Sequence, residues 1–318
     1  MRVLSGIQPS GQLHLGNYFG SIRPNVELSK SSEESLYIVV DLHALTTLHD
    51  PAALSAYRQE AVFDLLACGF DPQKAILFFQ SDVPAHTELL WILATVSPMG
   101  LLERAVAYKE KVEQGIAPSV ALFAYPVLQA ADILLYAANV VPVGKDQKQH
   151  LEIARDIAVK FNNAYGETLV VPEPRIRDEV AVVPGTDGQK MSKSYGNTIP
   201  FFGAESAVKK AVMGIITDSK GLHDPKDPDT CVIYNIHKLF LSASEAKDLA
   251  DAYRNGLPYG DAKKQLLATI VDAFAPMRAK RATLTQTHVH EVMREGAKRA
   301  QAIAAGTMET VRKRVGLQ

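Results

Sequence analysis

Cysteine is nearly absent: the 318 residues hold only Cys68 and Cys231, far apart and in no Cys-x-x-Cys pair. A disulfide framework is thereby excluded, nothing suggests a structural zinc or iron–sulfur site, and the two thiols read as buried side chains. No apolar run reaches the roughly 18 residues that a membrane-spanning helix needs. Met1-Arg2-Val3-Leu4-Ser5-Gly6-Ile7 enters a strand pattern directly, without the basic region and apolar stretch of a secretory leader, so a cytoplasmic protein is expected. Internal repeats and low-complexity tracts are lacking, and net charge is only −1. That charge is unevenly spread, since residues 261–318 carry 11 Lys and Arg against 5 Asp and Glu. A basic end on an acidic body suits docking of a polyanion; a helical tail with a solvated basic face is the other reading.

Length and a 47% hydrophobic content fit a globular chain of two domains. The spacing of apolar residues predicts strands at 3–7, 36–40, 75–79 and 140–143, each a continuous apolar run rather than an alternating one. Between them lie helical patterns. Asp50-Pro51 supplies a cap and a first-turn proline for the helix running to about Leu66, and further helices are expected over 84–97, 101–112, 125–136 and 147–161. Strands alternating with helices imply a Rossmann-like parallel sheet, an α/β fold carrying a helical insertion. The prolines between Glu173 and Pro184 mark a linker, which places the domain boundary at 186/187. From there onward the pattern is all-helical: 204–213, 233–241, 243–255, 261–280 and 288–314.

Four stretches carry chemistry. In Gly6-Ile7-Gln8-Pro9-Ser10-Gly11, followed by Gln12-Leu13-His14-Leu15-Gly16-Asn17, a turn after a strand feeds a helix start. Backbone amides there favour a phosphate, and His14 and Asn17, three residues apart, share one side of the first turn. Gly188-Gln189-Lys190-Met191-Ser192-Lys193-Ser194 brackets small hydroxyls with two lysines on a glycine-punctuated loop able to close over phosphate. Val141-Pro142-Val143-Gly144-Lys145-Asp146-Gln147 ends a strand on glycine at the carboxyl edge of the sheet, where Asp146 can accept from ribose hydroxyls or an ammonium, or cap the next helix. Tyr125, Gln129 and Asp132 share one face of an apolar helix, and a buried carboxylate there requires partners, from the protein or from a ligand.

Together these stretches resemble the class I aminoacyl-tRNA synthetases. Lys190-Met191-Ser192-Lys193-Ser194 matches one family signature without a mismatch, and His14-Leu15-Gly16-Asn17 is similar to the other. Tyr-x-x-x-Gln-x-x-Asp at 125–132 suits tryptophanyl and tyrosyl members alike. Ser5 to Gly11, Asp41-Leu42-His43-Ala44, Gln80 to His86 and the 141–147 stretch resemble the tryptophanyl branch. Two positions depart from its bacterial pattern: Gln129 stands where Met is usual and Lys145 where Glu is usual.

The resemblance implies a tryptophan–tRNA ligase that uses ATP with Mg2+ held mainly by the phosphates, partners with tRNA(Trp) and forms a homodimer. It assigns catalysis to Lys193, Lys190, Gln8, His14, Asn17, Lys111 and Asp146. ATP would lie against Gln8, Pro9, Ser10, His14, Gly16, Asn17, Gly144, Lys145, Asp146, Val183 and Lys190 through Ser194, Met191 included. Tryptophan would lie against Asp132, Tyr125, Gln129, His43, Gln147, Val141 and Val143, with Asp132 accepting from the indole N–H. The remaining readings are a tyrosyl enzyme, a small-molecule nucleotidyltransferase sharing the chemistry of both signatures, against which length and the basic helical end argue, and a duplicated synthetase with a binding or regulatory role. For tRNA phosphates the basic end offers Arg278, Lys280, Arg281, Lys298, Arg299, Arg312, Lys313 and Arg314.

Overall fold

The computed structural model describes residues 2–105, 108, 113, 115, 117–143, 148–176 and 183–318. Lys111 and residues 144–147 (Gly144, Lys145, Asp146, Gln147) therefore lie outside the described residues, as does the side chain of Val143. Five parallel strands form one sheet in the order β3-β2-β1-β4-β5. They are β1 (Arg2–Ile7), β2 (Glu34–Val39), β3 (Ala75–Phe79), β4 (Val140–Val143) and β5 (Glu173–Ile176). β1 pairs with β2 from Arg2↔Glu34 to Ile7↔Val39, and with β4 through Val3↔Val140. The chain thus winds outward to β3, returns to the centre and continues through β4. The carboxyl ends of β1 and β4 flank the point where strand order reverses, which is where such sheets bind ligands.

Period-two geometry explains why the strand runs are apolar throughout. Leu36, Ile38, Ile76 and Phe78 enter one core cluster, while Tyr37, Val39 and Leu77 enter the other, so both faces are covered. Helices α1 (Arg23–Ser31), α2 (Pro51–Ala67), α3 (Ala85–Ala94), α4 (Val120–Leu134) and α5 (Lys148–Tyr165) supply the N-terminal part of that cover. Asp50 caps α2 as expected, its Oδ1 accepting from the amides of Ala52 at 2.9 Å and Ala53 at 3.1 Å. α4 begins five residues before the expected Tyr125, because Ser119 caps it through the Leu122 amide; Pro126 lies inside the helix.

One expectation fails. The segment read as a linker from Glu173 contains a strand, β5, registered on β4 from Val140↔Glu173 to Val143↔Ile176. β5 has a neighbour on one side only, so Pro174 can lack its N–H without breaking a ladder, and an edge position tolerates what a central strand would not.

Beyond β5 no further strand follows among the described residues. Helices α6 (Glu205–Met213), α7 (Val232–His237), α8 (Ala243–Arg254), α9 (Tyr259–Thr283) and α10 (Gln286–Val315) complete the chain. α10 runs back along β3 and crosses from one core to the other: Val289, Val292 and Met293 join the first cluster, and Ala297, Ala300, Ala304 and Met308 join the second. Gly296 sits at the crossing. A Cβ there would stand 1.9 Å from the carbonyl oxygen of Leu77 in β3, so glycine is what lets helix and strand backbones approach. The helix also covers the β3 edge, which a parallel sheet would otherwise leave open.

Candidate active site

At the end of β1, Ser10 N–H closes a tight turn onto the Gln8 carbonyl at 2.9 Å, and Gly11 follows at φ +133°, a conformation that side chains disfavour. His14 precedes the short helix Leu15–Asn17, where Asn17 Oδ1 accepts from the His14 amide at 3.2 Å. Residues far along the chain come to this turn. Leu15 N–H reaches the Ile199 carbonyl at 3.0 Å, Gly16 N–H reaches Met191 Sδ at 3.3 Å, and Lys193 Nζ donates to the Gly11 carbonyl at 2.8 Å. The two motifs are 182 residues apart in sequence between Gly11 and Lys193, yet they share one edge of the sheet.

Asn197 builds the second motif's loop. Its Oδ1 accepts from Ser192 N–H at 2.8 Å, while its Nδ2 donates to Asp187 Oδ1 at 2.7 Å and to the Lys190 carbonyl at 3.1 Å. A Cβ on Gly185 would fall 2.2 Å from that amide nitrogen, so Gly185 makes room for the clamp. Met191 and Val183 face the core instead of solvent and are joined by a Met191 N–H to Val183 carbonyl bond of 2.8 Å. They anchor the loop, while Lys190 and Ser194 are exposed.

Burial shapes the electrostatics. It pushes His14 down to about 4, with Lys193 adding to the effect, so at neutral pH His14 offers a hydrogen bond but no charge. Burial also lowers Lys193 to about 8, opposed by the Asp64 carboxylate. Lys193 remains mostly charged at pH 7 and is the cation best placed beside the turn. Asp64, in turn, is raised to about 6 by burial, with Arg281 holding it down at 2.6 Å from Nε to Oδ1.

The second part of the site surrounds Asp132. Its carboxylate, 4% exposed, meets His43 Nε2 at 2.9 Å, His86 Nδ1 at 2.6 Å and Gln80 Nε2 at 2.7 Å. The protein itself therefore meets most of the need for partners that marked Asp132 as facing a ligand. Three donors still leave one of the roughly four acceptor directions of a carboxylate open. Burial would raise this carboxyl, but the hydrogen bond from His43 and the charge and hydrogen bond of His86 hold it below the usual carboxylate range. Tyr125 sets its ring edge-on to His43 at 4.5 Å, and Gln129 lies one turn further along α4. Val141 is 5% exposed and packs in the core that backs this region. Gln8 Nε2 donates to the His43 carbonyl at 3.2 Å, which ties this network to the turn after β1.

Gln80 and His86, which the sequence offered only as part of a stretch resembling the tryptophanyl branch and with no role attached, complete this network together with Tyr136, which it did not offer at all. Gln80 and His86 stand in one short segment with no periodic signal, and their convergence on Asp132 depends on three separate elements. The basic C-terminal residues divide otherwise than charge alone suggests. Arg278 donates to the Phe201 carbonyl at 2.9 Å and Arg299 to the Pro72 carbonyl at 3.0 Å. Arg281 pairs with Asp64 and Glu60, and Arg312 clamps Glu88 through two bonds of 2.7 and 2.5 Å. These four hold C-terminal helices to the rest of the chain. Lys280 and Arg314 are exposed, as are Lys298 and Lys313, which lie near Glu295 and Glu309 of their own helix.

Comparison with known proteins gives one consistent result. The model of the family described as "tRNA synthetases class I (W and Y)" matches residues 1–275. The tryptophan–tRNA ligase of Rhodopirellula baltica is 49% identical over the full length of both chains, and that of Campylobacter jejuni is 48% identical, again over the full length of both. The crystal structure of the Campylobacter jejuni tryptophanyl-tRNA synthetase complexed with ADP and tryptophan superposes with a TM-score of 0.92 at 47% identity, covering 99% of this chain and 100% of that one. A tyrosyl-tRNA synthetase from Archaeoglobus fulgidus shares the fold at a TM-score of 0.65 and 19% identity. With both signature motifs meeting at the reversal point of the sheet and the family model spanning most of the sequence, the chain belongs to the class I tRNA synthetases of the tryptophan and tyrosine branch.

Proposed function

We propose that the protein is a tryptophan–tRNA ligase that works in two steps. In the first, the tryptophan carboxylate attacks the α-phosphorus of ATP; the bond to the β-phosphate oxygen breaks, and tryptophanyl-adenylate and pyrophosphate result. In the second, a hydroxyl of the terminal ribose of tRNA(Trp) attacks the activated carbonyl and AMP leaves. The substrate supplies its own nucleophile, so the protein's task is alignment and charge compensation. The observation that carries this reading is the 2.8 Å contact of Lys193 with the Gly11 turn, which Gln8 links to the Asp132 network through the His43 carbonyl. Lys193 and Lys190 would neutralise charge on the departing pyrophosphate, His14 and Asn17 would hydrogen-bond phosphate oxygens, and Gln8 would orient the reacting end. Lys111, Asp146 and Gln147 keep the roles that the family resemblance gives them. Mg2+ would arrive on the triphosphate, held by its oxygens.

The same reading divides the chain into a catalytic part, 1–186, with its connecting insertion, and a part, 187–318, carrying the Lys190–Ser194 loop and the helices that grip the tRNA anticodon arm. The working assembly is a cytoplasmic homodimer. Exposed apolar side chains, Trp91 on α3 at 71%, Met99 at the start of the short helix Met99–Glu103 at 63% and Val120 at the start of α4 at 85%, support it, since such groups are found at subunit contacts. Amino-acid-dependent ATP–pyrophosphate exchange across the twenty amino acids tests the reading. Tryptophan alone should support exchange, followed by charging of tRNA(Trp); exchange with tyrosine, or none with any amino acid, would overturn it.

A further inference from the structure

Each donor on Asp132 is itself fixed from behind. Gln80 Oε1 accepts from the Leu42 amide at 3.1 Å, which points its Nε2 at the carboxylate. His86, fully buried, places Nδ1 on Asp132 and Nε2 2.8 Å from the Tyr136 hydroxyl. The His43 backbone is held by Gln8 and by Thr46 Oγ1 at 2.8 Å. An ionised carboxylate only accepts hydrogen bonds, so both imidazoles must turn an N–H toward it. That leaves one nitrogen on each ring. His86 Nε2 has the Tyr136 hydroxyl, whereas His43 Nδ1 is buried without a hydrogen-bond partner, and so is Gln129 Oε1 on the same side of α4 as Tyr125.

The direction of this arrangement depends on where one proton sits. If Asp132 were protonated it would donate to His43 Nε2, the imidazole proton would move to Nδ1, and that unpartnered atom would change from acceptor to donor. A tryptophan molecule brings N–H groups at its indole and its ammonium, so only the first arrangement suits it. We infer that His86, braced by Tyr136, is a positioning residue for amino-acid recognition: with Gln80 it keeps the proton off Asp132, and a neutral His43, its one proton on Nε2, then presents a bare Nδ1 to an N–H of the substrate. The inference rests on the tryptophan reading above and concerns how the pocket selects its polarity.

Nitrogen-15 spectra of histidine-labelled protein, otherwise unaltered, test the core of it. His43 should show the Nε2–H form, with Nδ1 unprotonated and shifting when tryptophan is added. A proton on Nδ1 in the free protein would overturn the inference. His86→Leu removes the donor to Asp132 and should raise KM for tryptophan about tenfold or more while leaving KM for ATP within about twofold. His86→Asn sets an amide nitrogen where Nδ1 stood and should recover most of that loss. A tryptophan analogue with sulfur in place of the indole nitrogen separates the two donors. If His86→Leu erases the preference for tryptophan over the analogue, the Asp132–His43 pair reads the indole N–H; if both substrates weaken alike, it reads the ammonium. Equal losses for tryptophan and ATP, with His86→Asn no better than His86→Leu, would mark His86 as a packing residue and refute the inference. Absence of tryptophan-dependent exchange in the unaltered protein would instead refute the ligase reading itself.

Discussion

Replacing Gly296 by alanine isolates what holds the C-terminal helix on the catalytic sheet. The new methyl would stand 1.9 Å from the Leu77 carbonyl oxygen, 2.8 Å from its carbon and 3.3 Å from its nitrogen. All three are backbone atoms of β3, so no side chain can swing aside, and α10 must lift by more than an ångström or the strand must bend. Such overpacking costs about 1–3 kcal/mol or more, whereas exchanging a helical glycine for alanine contributes about 1 kcal/mol in the opposite direction. Gly306, on the same helix and exposed with nothing within 4 Å, supplies the control with the same propensity gain and no collision. Gly306→Ala should therefore raise stability by up to about 1 kcal/mol. Gly296→Ala should fall about 1–3 kcal/mol or more below Gly306→Ala, or several degrees in Tm for a chain of this size. Thermal and urea unfolding of the two variants read the difference directly. Equal stabilities would refute the claim that β3 and α10 touch backbone to backbone.

Further outcomes follow from the charges. Arg281→Gln leaves the buried Asp64 carboxylate without its main partner and should destabilise by about 3 kcal/mol at pH 8. Asp64 is raised to about 6, so the folded protein holds that proton more tightly than the unfolded chain, and the destabilising charge develops as pH rises through 6. The deficit should shrink toward pH 5; the same deficit at both pH values in urea titrations would be the contrary result. Because Lys193 is held near 8, KM for ATP should climb as pH passes about 8, and Lys193→Arg should flatten that profile at the cost of turnover. A wild-type profile level to about pH 9 would show that another cation meets the phosphates. Trp91 is the single tryptophan, so its fluorescence reports directly on the proposed subunit contact. Emission should shift to longer wavelength on dilution, and Trp91→Glu should sediment as a monomer; a dimeric Trp91→Glu protein would move the contact elsewhere.

Local chemistry was legible in the sequence wherever a motif carries its own geometry. Leu36 to Val40 and Ala75 to Phe79 announce strands covered on both faces, because a buried parallel strand needs apolar groups at every position. Asp50-Pro51 announces a helix start for equally local reasons, and the two signatures name the phosphate chemistry by residue type alone. Tertiary structure decided what depends on partners distant along the chain. Pro174 reads as a linker until β4 pairs with it on one side only. Asp132 looks like a carboxylate awaiting ligand until His43 from one segment and Gln80 and His86 from another arrive beside it. Arg281 and Arg312 count as positive surface until Asp64 and Glu88 engage them. Sequence composition records which charges and donors exist. Which of them are already engaged, and which stay open to a substrate, is settled only when parallel pairing and helix packing bring residues far apart in sequence within about 3 Å.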